Sequence, residues 1–175
     1  MFWEIDPFYS LVEFSVWHLM INIVKGRFKE VHGTIQLDPK HPEESTVKAQ
    51  VSAASIDTGI APRDGHLRSA DFFEVAKYPM ITFESTSIQQ VGAKNAIVTG
   101  NLTLHGITKA VQFQAELTGY TRDPETAIWR IGLSAVTTLD RRIFNIQYQQ
   151  QPNNQNTVVI GNEIRISLHI EAAQV

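Results

Sequence analysis

Apolar and polar residues alternate with a period of two over most of this chain. In the stretch "SLVEFSVWH", Val12, Phe14 and Val16 share one face and polar residues occupy the other. Successive side chains of a β-strand point to opposite faces of the sheet, so this alternation indicates a strand with one buried face.

The same alternation recurs in seven further segments, which are separated by turn-forming stretches such as "DPKHPEES", "VGAKN" and "TRDPET". Half-buried strands favour antiparallel pairing, because strands that are buried on both faces have continuous apolar runs. About eight such strands with very little helix predict an all-β fold, either a barrel or a sandwich.

Length and composition exclude several classes of protein. The chain has 175 residues, 43% of them apolar, which predicts one domain over residues 1–175 with a sizeable core. The absence of cysteine excludes disulfides and thiol catalysis. The net charge is −3 without a basic stripe or a polybasic segment, so we expect no nucleic-acid partner and no stable membrane anchor. Strand-like sequence begins at Trp3, so we expect a cytoplasmic protein, or a periplasmic one if a leader was removed.

The segment "RDGHLRSADFFEVAKYP" breaks the period of two. Residues 70–77 fit two helical turns after Ser69, a suitable N-cap. Upstream, Pro62 can open another short turn, on which Asp64 and Arg68 are spaced to form an exposed i,i+4 pair. We therefore predict a short helical cap near residues 62–77.

Two hypotheses explain the charges of this segment, which belong to Arg63, Asp64, His66, Arg68 and Asp71. They can form a cluster for general acid/base chemistry. Alternatively, they are structural and lie outside the cap while the two phenylalanines of the segment point inward. We favour the structural hypothesis, because the sequence contains no nucleophile or cofactor motif to accompany the cluster.

Histidines and arginines supply the remaining candidates for a site. The six histidines show no H-x-x-x-H pair, so we predict no metal site and no cofactor. His18 shares the parity of Phe14 and Val16, and it is either a hydrogen-bonded histidine at a barrel rim or a polar group near a ligand head. Arg141 and Arg142 could bind a phosphate, but adjacent side chains point to opposite sides, so at most one faces a cavity.

Several segments together resemble the YceI-like, polyisoprenoid-binding, lipocalin-like family. They are "WEIDP", "SLVEFSVWHL", "VKGRF", "RDGHLRSADFFEVAKYPMITFES", "LTLHGITKAVQF" and a late Arg-x-Phe segment, and they follow one another over nearly the whole chain. The resemblance implies an extended antiparallel lipocalin-like β-barrel of about eight strands with an elongated apolar interior. It also implies a non-enzymatic binder of a long isoprenoid or similar amphiphilic lipid, and a homodimer.

Combined with the inward register of the strands, the resemblance predicts eight ligand-binding residues. They are Phe14, Val16, His18, Phe72, Phe73, Phe83, Leu104 and Phe113. Three positions depart from the family pattern. Ala110 follows Lys109 where the family often has a proline. Tyr9 stands where a histidine is frequent, so the head-group preference can differ. Asn145 replaces a glycine, and asparagine tolerates the positive φ that such a turn requires.

Three functions stay open at this point. The first is lipid binding for storage, transport or sequestration. The second is an enzyme that acts on a lipid or quinone in the same cavity, using His18 or the cluster of residues 63–71. The third is a protein-interaction β-domain with a filled core.

The Gln- and Asn-rich stretch at residues 146–157 predicts a long solvated loop.

Overall fold

A computed structural model describes residues 1–149 and 158–175 of the chain. Most of the predicted solvated loop, at residues 150–157, lies outside the described residues. The strands are β1 (Phe2–Ile5), β2 (Leu11–His18), β3 (Asn22–Phe28), β4 (Val31–Gln36), β5 (Thr46–Ser52), β6 (Ile56–Asp57), β7 (Met80–Gln90), β8 (Asn95–Leu104), β9 (Ile107–Arg122), β10 (Trp129–Asp140) and β11 (Ile160–Gln174). The helix is α1 (Ala61–Arg68), and short 3-10 helices span Pro42–Glu44, Ala53–Ser55 and Arg141–Phe144.

The strands close into an antiparallel barrel. Eight of them form a circuit in the order β1, β4, β5, β7, β8, β9, β10 and β11, and β11 pairs back with β1. The first half of β11 pairs with β2, which pairs with β3, which in turn pairs with β6. The pairs β1 and β2, β3 and β4, and β5 and β6 therefore act as three interrupted strands of the wall. The prediction of an antiparallel barrel of about eight strands is confirmed.

The register of strand pairing places the apolar faces of the strands on the inside of the barrel. Phe83 of β7 lies opposite Leu102 of β8, and Phe113 of β9 lies opposite Val98 of β8. The rings of Phe83 and Phe113 meet edge to face, with their centroids 5.3 Å apart. Because directly opposed residues share one face of the sheet, each apolar face reinforces its neighbour around the barrel.

The helical prediction for the cap is partly wrong. The described helix is α1, with Pro62 in its first turn, whereas residues 70–77 form successive turns. The main-chain N–H groups of Phe73 and Val75 donate to the carbonyls of Leu67 and Arg68 at the end of α1. Glu74 has a φ of 47°, in the left-handed region, which is incompatible with a continuous right-handed helix. Contacts back to α1 therefore override the local helical preference.

The cap, which we define as residues 58–79, packs over one end of the barrel. Tyr78 meets His105 in the β8–β9 turn with ring centroids 5.0 Å apart, and Phe72 meets Tyr148 at 5.1 Å. In residues 1–149 and 158–175, no helix has both the length and the apolar composition that a membrane span needs.

Candidate functional site

A cavity of about 460 Å³ runs along the interior of the barrel. Its wall is built almost entirely from apolar side chains, and every strand except β6 contributes to it. Leu67, Phe72 and Phe73 of the cap complete it at one end. The volume falls within the range of about 300–1,000 Å³ that is usual for small-molecule sites. A protein-interaction domain with a filled core, the third of the functions left open by the sequence, does not have this interior.

Seven of the eight predicted ligand-binding residues lie on the cavity wall. They are Phe14, Val16, Phe72, Phe73, Phe83, Leu104 and Phe113. The two cap phenylalanines have different neighbours: Phe72 is buried against His66 and Tyr148, while Phe73 meets Phe28 of the wall edge to face. The structure brings these seven side chains together around one cavity, and their contact with a ligand stays a prediction.

The placement of His18 in the cavity is wrong. Its side chain is exposed at the end of β2, where it pairs with Asn22 of β3 and Ile160 of β11. The alternation of the strand continues through His18, but Val16 is the last residue of β2 that lines the cavity. The alternation predicts on which face of the strand a residue lies. It does not predict where along the strand the neighbouring strands stop enclosing that face.

Tyr9, which departs from the family pattern, is also exposed. The guanidinium of Arg130 lies 5.5 Å from the centre of its ring.

Three charged residues of the cap, Arg63, Asp64 and Arg68, form hydrogen bonds with main-chain groups. Asp64 is only 6% exposed, and its carboxylate accepts hydrogen bonds from the main-chain N–H and the hydroxyl of Thr58. Arg63 donates from Nε to the Thr58 hydroxyl and from Nη2 to the Thr58 carbonyl, each at 2.7 Å. These bonds fix the chain where it leaves β6.

The expected exposed pair between Asp64 and Arg68 is therefore wrong. Arg68 instead donates to the carbonyls of Ala54 and Ile56, at 2.9 and 3.0 Å. The spacing between the two residues would allow a pair, but main-chain groups near the end of the sheet offer each side chain a partner of its own. Arg63, Asp64 and Arg68 are thus engaged in structural hydrogen bonds, and of the proposed acid/base cluster only the exposed pair of His66 and Asp71, 2.7 Å apart, has no such role.

The two adjacent arginines face opposite environments, as predicted. Arg141 is buried on the cavity wall, and burial lowers the pKa of its guanidinium. Arg142 is exposed and donates to the carboxylate of Asp140. Hydrogen bonds from Arg142 lower the pKa of Asp140 from 3.8 to about 2. Asn145 ends this turn with a φ of 58°, which confirms that asparagine supports the left-handed conformation there.

Sequence reasoning missed the polar end of the cavity opposite the cap. There the wall includes Gln90, Lys94, Asn95 and Glu116, which belong to the β7–β8 hairpin and to the strand beside it. In the sequence, "VGAKN" reads only as a turn between strands. To predict this end of the cavity, one needs to know that β8 pairs with β9 in a register that places Asn95 opposite Glu116.

One surface cluster was also missed. Oxygen and nitrogen atoms of Asp38, His41 and Glu44 lie within 4.8 Å of one another after β4. The Asp38 carboxylate also accepts hydrogen bonds from the main-chain N–H groups of Lys40 and His41, as in an ordinary polar turn.

The fold and the cavity together define a lipocalin-like β-barrel with an apolar interior. A family model for the YceI-like domain matches residues 3–172, and the chain belongs to this family. A UPF0312 protein from Ectopseudomonas mendocina is 38% identical over 152 residues, which cover 87% of this chain and 79% of that protein.

Solved structures share the architecture. Burkholderia cenocepacia BcnA superposes with a TM-score of 0.82 at 22% identity, covering 95% of this chain and 98% of BcnA. A polyisoprenoid-binding domain from Saccharophagus degradans superposes with a TM-score of 0.74 at 17% identity, covering 99% of this chain and 98% of that domain. At these identities both likenesses concern the fold.

Proposed function

We propose that this protein binds a long isoprenoid or a similar apolar lipid inside its barrel and does not change it chemically. The observation that carries the proposal is the cavity inside the barrel, with its almost wholly apolar wall. Membership of the YceI-like family supports it, as does the shared fold with a polyisoprenoid-binding domain. The engagement of Arg63, Asp64 and Arg68 in structural hydrogen bonds favours binding over catalysis.

The free energy of transferring a lipid chain from its surroundings into the cavity limits how such a protein can bind it. Each methylene moved from water into the cavity contributes about 0.8 kcal/mol, so a prenyl chain has a large driving force to leave water. A bilayer is equally apolar, however, and it is the usual location of such a lipid. Binding therefore requires shape matching or head-group contacts in addition to burial, which is the behaviour of a protein that stores, transports or sequesters its ligand.

Native mass spectrometry of the purified protein tests this proposal. We expect a bound species of lipid mass that organic extraction releases unchanged, and protein alone or a turned-over product would contradict the proposal. The same spectrum tests the homodimer that the family resemblance implies.

A matched pair of variants locates the ligand. Phe83→Arg places a charge on the cavity wall, so we expect it to abolish lipid co-purification. Phe8→Arg places the same charge on a side chain that is 92% exposed, and lipid content should not change. Circular dichroism checks that both variants fold. A folded Phe83→Arg protein with undiminished lipid would refute the cavity as the binding site.

A further inference from the structure

Arg141 is a buried cation on the mostly apolar wall of the cavity. The residue is 5% exposed and lines the cavity. Its guanidinium donates to the carbonyls of Gly161, Ile146 and Ile160, at 3.0, 2.9 and 3.4 Å. A guanidinium carries five N–H donors, so these carbonyls do not use its full capacity.

No carboxylate forms an ion pair with Arg141 in the described part of the chain, and Asp140 acts on its charge only from beyond ion-pair distance. Within residues 1–149 and 158–175, no carboxylate oxygen lies within 4.0 Å of the guanidinium, and residues 150–157 contain no Asp or Glu. The neighbouring carboxylate of Asp140 is bound by Arg142. Buried charges in proteins are normally paired, because an isolated one is costly to remove from water.

The surroundings of Arg141 suit an anion carried by an apolar molecule. Phe144 and Ile146 are fully or nearly fully buried beside it and also line the cavity. Few water molecules can screen a charge there, so a charge-assisted hydrogen bond is stronger than it would be at the surface. The planar fork of the side chain matches two oxygens of one phosphate or carboxylate group.

We propose that Arg141 is the head-group site of the cavity, and that it selects lipids whose polar end is an oxyanion, foremost a phosphate monoester. The inference rests on the proposed lipid-binding function and adds the chemical class of the ligand's head. The apolar chain then extends from Arg141 along the barrel toward Lys94. That second cation is exposed, so water rather than a ligand compensates its charge.

Binding of two prenyl probes that differ only in the head tests the proposal. In the wild-type protein, geranylgeranyl phosphate should bind about tenfold to a hundredfold more tightly than geranylgeraniol. Arg141→Met should bring this ratio close to one. Arg142→Met and Lys94→Met remove exposed cations nearby and at the far end, and both should keep the wild-type ratio. Inorganic phosphate alone should compete weakly, because it lacks the chain.

The outcomes separate the two levels of the proposal. If neither probe binds, the lipid-binding function itself fails. If both probes bind equally well to the wild-type protein, or if Lys94→Met is the variant that removes the preference, only the head-group site at Arg141 is refuted. If Arg141→Met lowers the affinity for both probes equally, the arginine is merely a clamp on main-chain carbonyls.

A measurement on the wild-type protein covers the case in which Arg141→Met does not fold. The Nε–H resonance of Arg141, assigned by triple-resonance NMR in ¹⁵N-labelled protein, should shift on addition of geranylgeranyl phosphate and much less with geranylgeraniol. Equal shifts with both probes would overturn the proposal.

Discussion

Different interactions stabilise the barrel wall and the cap. In the wall, paired strands satisfy the main chain, and apolar side chains such as Phe83 and Phe113 fill the inner face. In the cap, side chains of Arg63, Asp64 and Arg68 supply hydrogen bonds to main-chain groups near the end of the sheet. Charged residues therefore act in the cap as substitutes for missing ladder partners.

Charged residues near an apolar cavity can therefore have a structural role. A cluster of Arg, Asp and His residues resembles catalytic machinery, yet Arg63, Asp64 and Arg68 of this cluster hold a loop in place. The wall should lose stability mainly through lost apolar burial, whereas the cap should lose it mainly through unsatisfied polar groups.

Removing the aromatic contact between wall and cap should be the most costly change. Phe28 is buried between Phe14 of the wall and Phe73 of the cap, with both ring-centroid distances at 5.6 Å. We expect Phe28→Ala to lower the free energy of unfolding by about 3–5 kcal/mol in urea titrations. The control Phe8→Ala, at an exposed site, should change it very little. Equal effects of the two variants would break the assignment of Phe28 to the core.

Removing a polar tie of the cap should come second. Asp64→Ala leaves the main-chain N–H of Thr58 without its acceptor, and we expect a loss of about 1–3 kcal/mol. Asp71 provides the matched control, because its carboxylate pairs with His66 at 2.7 Å but is half exposed. Asp71→Ala should cost no more than about 0.5 kcal/mol. Hydrogen exchange should show that Asp64→Ala loosens residues 58–79 first, and uniform loosening of the barrel would contradict a separately held cap.

The turn between β2 and β3 departs from the usual backbone preference of non-glycine residues, which gives a third prediction. Leu19 and Met20 join β2 to β3 with φ values of 53° and 57°, and a side chain in this region costs about 1–2 kcal/mol. Met20→Gly should therefore raise the free energy of unfolding by about 1 kcal/mol, net of glycine's greater freedom in the unfolded chain. Ile21→Gly, at a neighbour with negative φ, should lower it. Destabilisation by both variants in thermal or urea unfolding would show that the turn is not strained.

The smallest effect should appear at low pH. The pKa of Asp140 is about 2 in the folded protein, below its ordinary value of 3.8, because Arg142 donates to the carboxylate. A carboxyl whose folded pKa is depressed stabilises the fold above its unfolded pKa, and this contribution is lost as the pH falls from about 4 to about 2. Since the pair is partly exposed, we expect a loss of about 0.5 kcal/mol. The free energy of unfolding of Asp140→Asn should lack this loss when the pH falls from about 4 to about 2. If the variant loses as much stability over this range as the wild-type protein does, the stabilising role of the Asp140 carboxylate is contradicted.

Much of the cavity was predictable from the chain, because period-two alternation depends only on which side of a strand each residue occupies. Phe14, Phe83 and Phe113 lie on the wall for this reason. His18 does not, since the length over which a face stays enclosed depends on where β3 and β11 end beside it. Residues 70–77 have local helical preference, yet hydrogen bonds to the end of α1 turn them back.

The class of fold, the inward faces and the presence of a cap follow from the amino-acid sequence, because local alternation and turn chemistry act over a few residues. The partners of the polar groups, in contrast, depend on how the chain folds back on itself. Arg141 is buried against carbonyls of residues up to twenty positions away, and Asp64 is turned onto Thr58 rather than toward Arg68. The reason is physical: burial and hydrogen-bond partners are properties of the assembled barrel, and the pattern of a single strand contains neither.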